Sequence, residues 1–113
     1  MENLVELTCK HPSKDALMLT KEEVGGYKSQ IPDWRIVEHD GIRQLERVFK
    51  FKNFAESLAF TNRVGALAEE QDHHPALLTE WGQATVRWWT HVVRGLHMND
   101  LIQAAKTDRL FTG

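Results

Sequence analysis

Trp34-Arg35-Ile36-Val37-Glu38-His39-Asp40-Gly41-Ile42-Arg43-Gln44-Leu45-Glu46-Arg47-Val48-Phe49-Lys50-Phe51 is the stretch on which the fold turns. Trp34 to His39 reads as a strand, and Asp40-Gly41 is a strong two-residue hairpin signal. Ile42 to Phe51, rich in β-branched and aromatic residues, forms the return strand. Basic residues recur from Arg43 to Lys52, but they alternate with apolar ones, which describes a solvated strand face rather than a binding patch.

Upstream of the hairpin, Thr20-Lys21-Glu22-Glu23 is a capping box: a hydroxyl stands three residues before a carboxylate and opens a short helix. Gly25-Gly26 weakens that helix and Pro32 must end it. Residues 1–19 show no clear period and read as a loose arm before a single domain of residues 20–113. Downstream, Asn53-Phe54-Ala55-Glu56 is a second capping start. The helix it opens runs to about Glu70, with Phe54, Leu58, Val64, Leu67 and Ala68 at helical spacing. Beyond Pro75, Leu77 to Trp81 reads as a strand, Gly82 as a turn, and Ala84 to Val93 as another strand that Gly95 breaks. A last helix from about Asn99 to Leu110 turns Leu101, Ile102, Ala105 and Leu110 inward.

The resulting order, α-β-β-α-β-β-α, predicts an α+β fold. Strands linked by hairpins build an antiparallel sheet, and helices on one face are the economical way to cover it. Trp88 and Trp89 are adjacent, so in a strand they point to opposite faces. A Trp on the outer face suggests an interface, and a domain this small gains from forming a homo-oligomer.

The chain has 113 residues, 42% hydrophobic and 27% charged, with a formal charge of −2. That composition describes one ordinary globular domain and offers no field for nucleic acid or an anionic membrane. Cys9 has no partner for an internal disulfide, which points to a reducing compartment. Neither a secretory signal nor an apolar run of the ~20 residues needed to span a bilayer is visible, so a cytoplasmic protein is expected. Cys9 and His11 make only half a metal site, since two further ligands are missing nearby.

Six histidines occur, three of them in a distinctive context: Asp72-His73-His74-Pro75 and Thr90-His91. Pro75 disfavours helical geometry at His74, so the first pair lies on a bend after the long helix. His91 lies near the end of the last strand. Glu69 precedes His73 by four residues, so a persisting helix would let the carboxylate orient the imidazole. An imidazole titrates near neutrality at roughly 6.5, and two or three around one substrate suit an elimination that both accepts and delivers protons. Spacing alone supports equally a pair of helix C-terminal cations meeting the dipole. A zinc site of His73, His74 and His91 is the rival functional reading; adjacent histidines tend to diverge, and neither H-x-x-x-H nor C-x-x-C is present.

Asp72-His73-His74-Pro75, followed by Trp81, Val86, Thr90-His91, Gly95-Leu96 and Asp100, resembles the signature of the pterin-4a-carbinolamine dehydratases. The resemblance continues through Ile31-Pro32-Asp33-Trp34, Asp40-Gly41 and Phe51-Lys52-Asn53-Phe54. It spans about Thr20 to Lys106 and is closest to the bacterial branch. It implies a four-stranded antiparallel sheet with three helices, assembled as a homodimer or homotetramer. It further implies dehydration of 4a-hydroxytetrahydrobiopterin to the quinonoid dihydropterin, without metal or cofactor, which recycles the pterin used by aromatic amino-acid hydroxylases. The family's acid–base histidines fall on His73 and His91, and its second paired histidine, chiefly a substrate contact, on His74. The supporting carboxylates fall on Glu69 and Asp100. The pterin-contacting stretches fall on Asp72, His73 and His74 and on Trp89, Thr90, His91 and Val92. Two departures stand out: Leu77 replaces an aromatic residue of animal members, and His97 occupies the usual Ser or Thr capping position, where it could cap less well or touch a ligand. An interaction module is the alternative, because animal relatives also stabilise the dimer of a homeodomain transcription factor. A metal-dependent hydrolase is the third option.

Overall fold

Asp40 and Gly41 adopt φ of 53° and 78°, so the turn between them has the hand that matches the twist of its flanking strands. The computed structural model describes residues 2–112. The hairpin joins β1 (Arg35–His39) to β2 (Ile42–Lys50), in register from Arg35 opposite Glu46 to His39 opposite Ile42. A second hairpin joins β3 (Ala76–Glu80) to β4 (Gln83–Trp88) through Trp81 and Gly82, the latter with φ of 79°. β4 also pairs with β2, so the sheet is four-stranded and antiparallel in the order β1-β2-β4-β3.

Three helices complete the α-β-β-α-β-β-α order: α1 (Lys21–Gly25), α2 (Phe54–Gln71) and α3 (Met98–Thr112). Both expected helix starts carry their caps. Thr20 Oγ1 accepts from Glu23 N at 3.1 Å while Glu23 Oε1 accepts from Thr20 N at 2.9 Å. Asn53 Oδ1 accepts from Glu56 N at 2.9 Å. The alternation of β2 and β4 sends Leu45, Phe49, Ala84, Val86 and Trp88 into the core beneath Phe60 and Val64 of α2 and Leu101 and Ala104 of α3. On the opposite face Glu46 lies between Arg35 Nη2 at 2.6 Å and Arg87 Nε at 3.0 Å. Burial pushes the Glu46 carboxyl up, but the two guanidinium hydrogen bonds and charges outweigh it and hold the group below the usual range.

Two expectations change. The sequence pattern carries the last strand to Val93, yet β4 stops at Trp88, whose register partner is Leu45. Beyond it Thr90 pairs with Gly95 instead of a neighbouring strand, because the intervening residues form a turn closed by Arg94 at φ of 54°. Trp88 is therefore core, while Trp89 is half-buried and lies past the strand end. The N-terminal segment, expected to be loose, is tied down at several points. Leu4 is fully buried, Lys106 Nζ donates to Val5 O at 3.0 Å, and Leu19 N donates to Leu96 O at 2.7 Å.

Candidate active site

α2 ends in a way that decides where the histidines go. Asp72 takes the left-handed conformation with φ of 53°. Asp72 N then donates to Glu69 O at 3.4 Å and His73 N to Ala68 O at 3.1 Å, the paired bonds of a helix-terminating Schellman motif. The chain is thereby turned back before His73, and Pro75 blocks any resumption of the helix. Helical i,i+4 spacing would have Glu69 face His73. It bonds His74 Nε2 instead, because the reversal at Asp72 takes His73 off the helix face.

His73 finds a different carboxylate. Its Nε2 lies 2.6 Å from Asp100 Oδ1, and the Asp100 side chain has no exposed surface. The other carboxylate oxygen accepts from Thr90 Oγ1 at 2.8 Å and from His97 N at 2.9 Å. A buried carboxylate needs such donors to offset lost hydration. A carboxylate can only accept, so Nε2 of His73 donates and Nδ1 is left as the nitrogen that can exchange a proton. The ring stacks on Trp88 at 5.8 Å and 14°, and Gln103 Nε2 donates to His73 O at 3.2 Å.

His97 is a cap. Its Nδ1 accepts from Asn99 N at 3.1 Å while the Asp100 carboxylate accepts from His97 N, a reciprocal N-cap in which the imidazole serves the second amide of the helix. Burial holds the His97 pKa below its ordinary value, with Asp100 opposing and His73 adding to the depression. The neutral ring is the form that can accept.

Thr90 leads directly into the remaining histidine. Thr90 N donates to Gly95 O at 2.9 Å and Arg94 N to His91 O at 3.1 Å, a closed turn that presents His91 and Val92 outward. The His91 ring lies 5.2 Å from that of Trp89. Asp100 thus joins the two segments: one oxygen holds His73 and the other holds the residue before His91. His74 is exposed beside Glu69, and Asp72 is turned toward His11 at 3.3 Å. Among the described residues no three His, Cys, Asp or Glu side chains are grouped to hold a metal ion.

Sequence reasoning missed Gln103 and Thr107. Thr107 Oγ1 accepts from Trp88 Nε1 at 3.2 Å, so Asp100, Gln103 and Thr107 form a buried polar stripe on α3 serving His73 and its stacking partner. Polar residues at i, i+3 and i+7 on an otherwise apolar helix face were the available signal.

Residues 18–110 match the family described as Pterin 4 alpha carbinolamine dehydratase. The chain belongs to this family. A relative from Syntrophotalea carbinolica named "Putative pterin-4-alpha-carbinolamine dehydratase" is 58% identical over 110 residues, covering 97% of this chain and 98% of its own. A relative of the same name from Nitrosococcus oceani is 54% identical over 110 residues, covering 97% of each. A solved structure entitled "transcriptional coactivator/pterin dehydratase from Brucella Melitensis" superposes with a TM-score of 0.75 at 29% identity, over 83% of this chain and 98% of that one. A pterin dehydratase-like RuBisCO assembly factor of the alpha-carboxysome shares the fold, with a TM-score of 0.57 at 19% identity over 88% of this chain and 95% of that one. The pterin carbinolamine dehydratases are hydro-lyases by name. Such chemistry breaks a C–O bond and releases water, which calls for groups that deliver and take up protons.

Proposed function

We propose that this dehydratase-family chain converts a 4a-hydroxytetrahydropterin to the quinonoid dihydropterin and water by histidine acid–base catalysis. The observation that carries the reading is Asp100, whose two oxygens hold the His73 segment and the Thr90-His91 segment at one point. In the reaction the C4a–O bond breaks, the N5–C4a bond becomes double, and the N5 proton is lost. His73, with Nε2–H fixed by Asp100, takes the N5 proton at Nδ1. His91, exposed on its turn, protonates the departing hydroxyl as imidazolium. His74, held by Glu69, contacts the pterin alongside Asp72, Trp89 and Val92. Solvent returns both histidines to their starting states, so no metal or cofactor enters the balance.

The activity would recycle the pterin of an aromatic amino-acid hydroxylase in the cytoplasm. Among the described residues no helix is long and apolar enough to cross a membrane. Self-association of the chain accords with its exposed Trp81, Leu78 and Val92, which are 73%, 53% and 55% exposed, and light scattering measures it. A second, protein-binding role has one supporting observation, the coactivator wording attached to the Brucella structure.

The test couples a tetrahydropterin-dependent hydroxylase to the purified protein and follows the absorbance of the 4a-hydroxy adduct. The native protein accelerates its loss. His73→Ala and His91→Ala each slow turnover about 100- to 10,000-fold, the usual contribution of a positioned acid or base. Native rates in both variants would dismiss the assignment.

A further inference from the structure

We propose that Cys9 to His11 form a strap that positions the His73–Asp100 pair by tying the end of α2 to the start of α3. The inference rests on the dehydratase reading of that pair and adds a part outside the matched family region, which begins at residue 18.

The contacts fall on the two residues that frame the pair. Gln71, the last residue of α2, accepts from Cys9 N at 2.9 Å. Asn99, the residue before Asp100, accepts from Lys10 N at 3.0 Å through Oδ1 and donates to Lys10 O at 2.6 Å through Nδ2. This is two-point recognition of backbone by a side chain that is only 3% exposed. Cys9 Sγ adds a contact to Asn99 O at 3.7 Å, and His11 Nε2 reaches Asp72 Oδ2 at 3.3 Å. The strap is anchored upstream by buried Leu4, so it cannot drift from α3 without opening the core.

The geometry gives the strap its function. His73 follows Gln71 by two residues across the left-handed Asp72, and Asp100 follows Asn99 directly. The 2.6 Å His73–Asp100 bond therefore spans the gap that the strap bridges. A shift of α3 relative to the end of α2 lengthens that bond and frees the imidazole to rotate or change tautomer. Asn99 and Gln71 are positioning residues; neither is assigned a substrate contact.

The single cysteine reports on docking. Its thiol is pushed up to about 12 by burial and by the negative charge of Asp100, with Lys106 opposing. Release of the strap removes those causes, and the thiolate is the reactive form. The test uses full-length Gln71→Ala/Asn99→Ala, in which Asn99→Ala deletes both Lys10 bonds and keeps a good helix former in α3. Reaction of Cys9 with a chromogenic disulfide should accelerate at least about 10-fold. The kcat should fall about 10-fold with KM held within about twofold, because a misplaced proton carrier slows chemistry without weakening binding. The His73 Nε2 proton resonance, sheltered by Asp100, should broaden.

Faster Cys9 labelling with native kcat and a native His73 resonance would overturn the proposal. So would Cys9 labelling at the native rate, since the strap would then not be held by these side chains. If the double variant fails to fold, Gln71→Ala alone is read by the same three measurements. A native protein that does not dehydrate the adduct would sink the proposed function, and the Cys9 rate and His73 resonance would still decide whether the strap holds the pair.

Discussion

The Asp100→Asn substitution separates the catalytic contribution proposed for this side chain from its structural one. The carboxylate accepts from His73 Nε2 at 2.6 Å, Thr90 Oγ1 at 2.8 Å and His97 N at 2.9 Å, on a side chain with no exposure, facing an imidazole that is 12% exposed. The amide that replaces it can keep its oxygen toward Thr90 and His97, which preserves the helix cap. Its NH2 group then faces His73, whose Nε2 must become the acceptor, and the ring proton moves to Nδ1. All three bonds lose their charge assistance, which the removal of a buried charge partly offsets, for a net loss of about 1–2 kcal/mol. For a domain of this size that lowers Tm by about 4–8 °C. Under the proposed mechanism the chemistry suffers more, because the nitrogen that takes the proton already carries one, and turnover should fall about 100- to 10,000-fold. Asp100→Ala is less informative: it strands three buried donors and risks unfolding the start of α3. Stopped-flow loss of the adduct, beside thermal unfolding, reads both quantities in one preparation. An Asp100→Asn protein that is folded and turns over within about threefold of native would refute the claim that Asp100 sets the tautomer of His73.

Two further substitutions probe groups whose ionisation the fold controls. His97 is held neutral below its ordinary pKa, so the unfolded chain binds the extra proton, and stability falls as pH drops below about 6.5 toward the folded value. His97→Ser keeps an N-cap acceptor, worth about 1 kcal/mol, and should flatten that loss in denaturant titrations across the same range; an unchanged slope would show that His97 is not the group whose ionisation sets it. Glu46 has the opposite sense: a depressed carboxyl contributes stability above the ordinary carboxylate range and loses it as pH falls through the folded pKa. Glu46→Gln should cost on the order of 1 kcal/mol at neutral pH, and the gap to native should close on acidification, as measured by urea unfolding.

The parts of the fold that could be read in advance are those fixed by neighbours in sequence. The turn at Asp40-Gly41 needs two residues tolerant of positive φ, and the caps at Thr20 and Asn53 need one side chain close to one amide. Each is local, and each lies where the residues indicated. The errors came where tertiary bonds redirect the chain. Thr90 could have continued a strand, but its hydroxyl goes to Asp100 and its amide to Gly95. Glu69 and His73 had helical spacing, but the left-handed Asp72 broke the helix between them and transferred Glu69 to His74. The first nineteen residues showed no periodicity, because their attachment combines irregularly spaced apolar anchors such as Leu4, Val5 and Leu7 with backbone groups received by Gln71, Asn99 and Gln30. A side chain that binds backbone imposes no pattern on the segment it holds.

The three central histidines therefore differ in what the fold asks of them. His73 cannot be moved without disturbing Asp100, and Asp100 cannot be moved without uncapping α3 and releasing Thr90, so its orientation is tied to the packing of the core. His74 and His91 are exposed, one against a surface carboxylate and the other against Trp89, and the core asks nothing of either ring. A division of this kind suits a flat, solvent-borne substrate. In the proposed mechanism one imidazole must be rigid, so that the proton it removes leaves along a fixed line, whereas the groups that meet the ring from solvent can adjust as the pterin arrives and flattens. Rigidity at His73 comes from burial that a lone imidazole would not tolerate, and the Asp100 carboxylate, itself supplied with donors by Thr90 and His97, makes that burial sustainable.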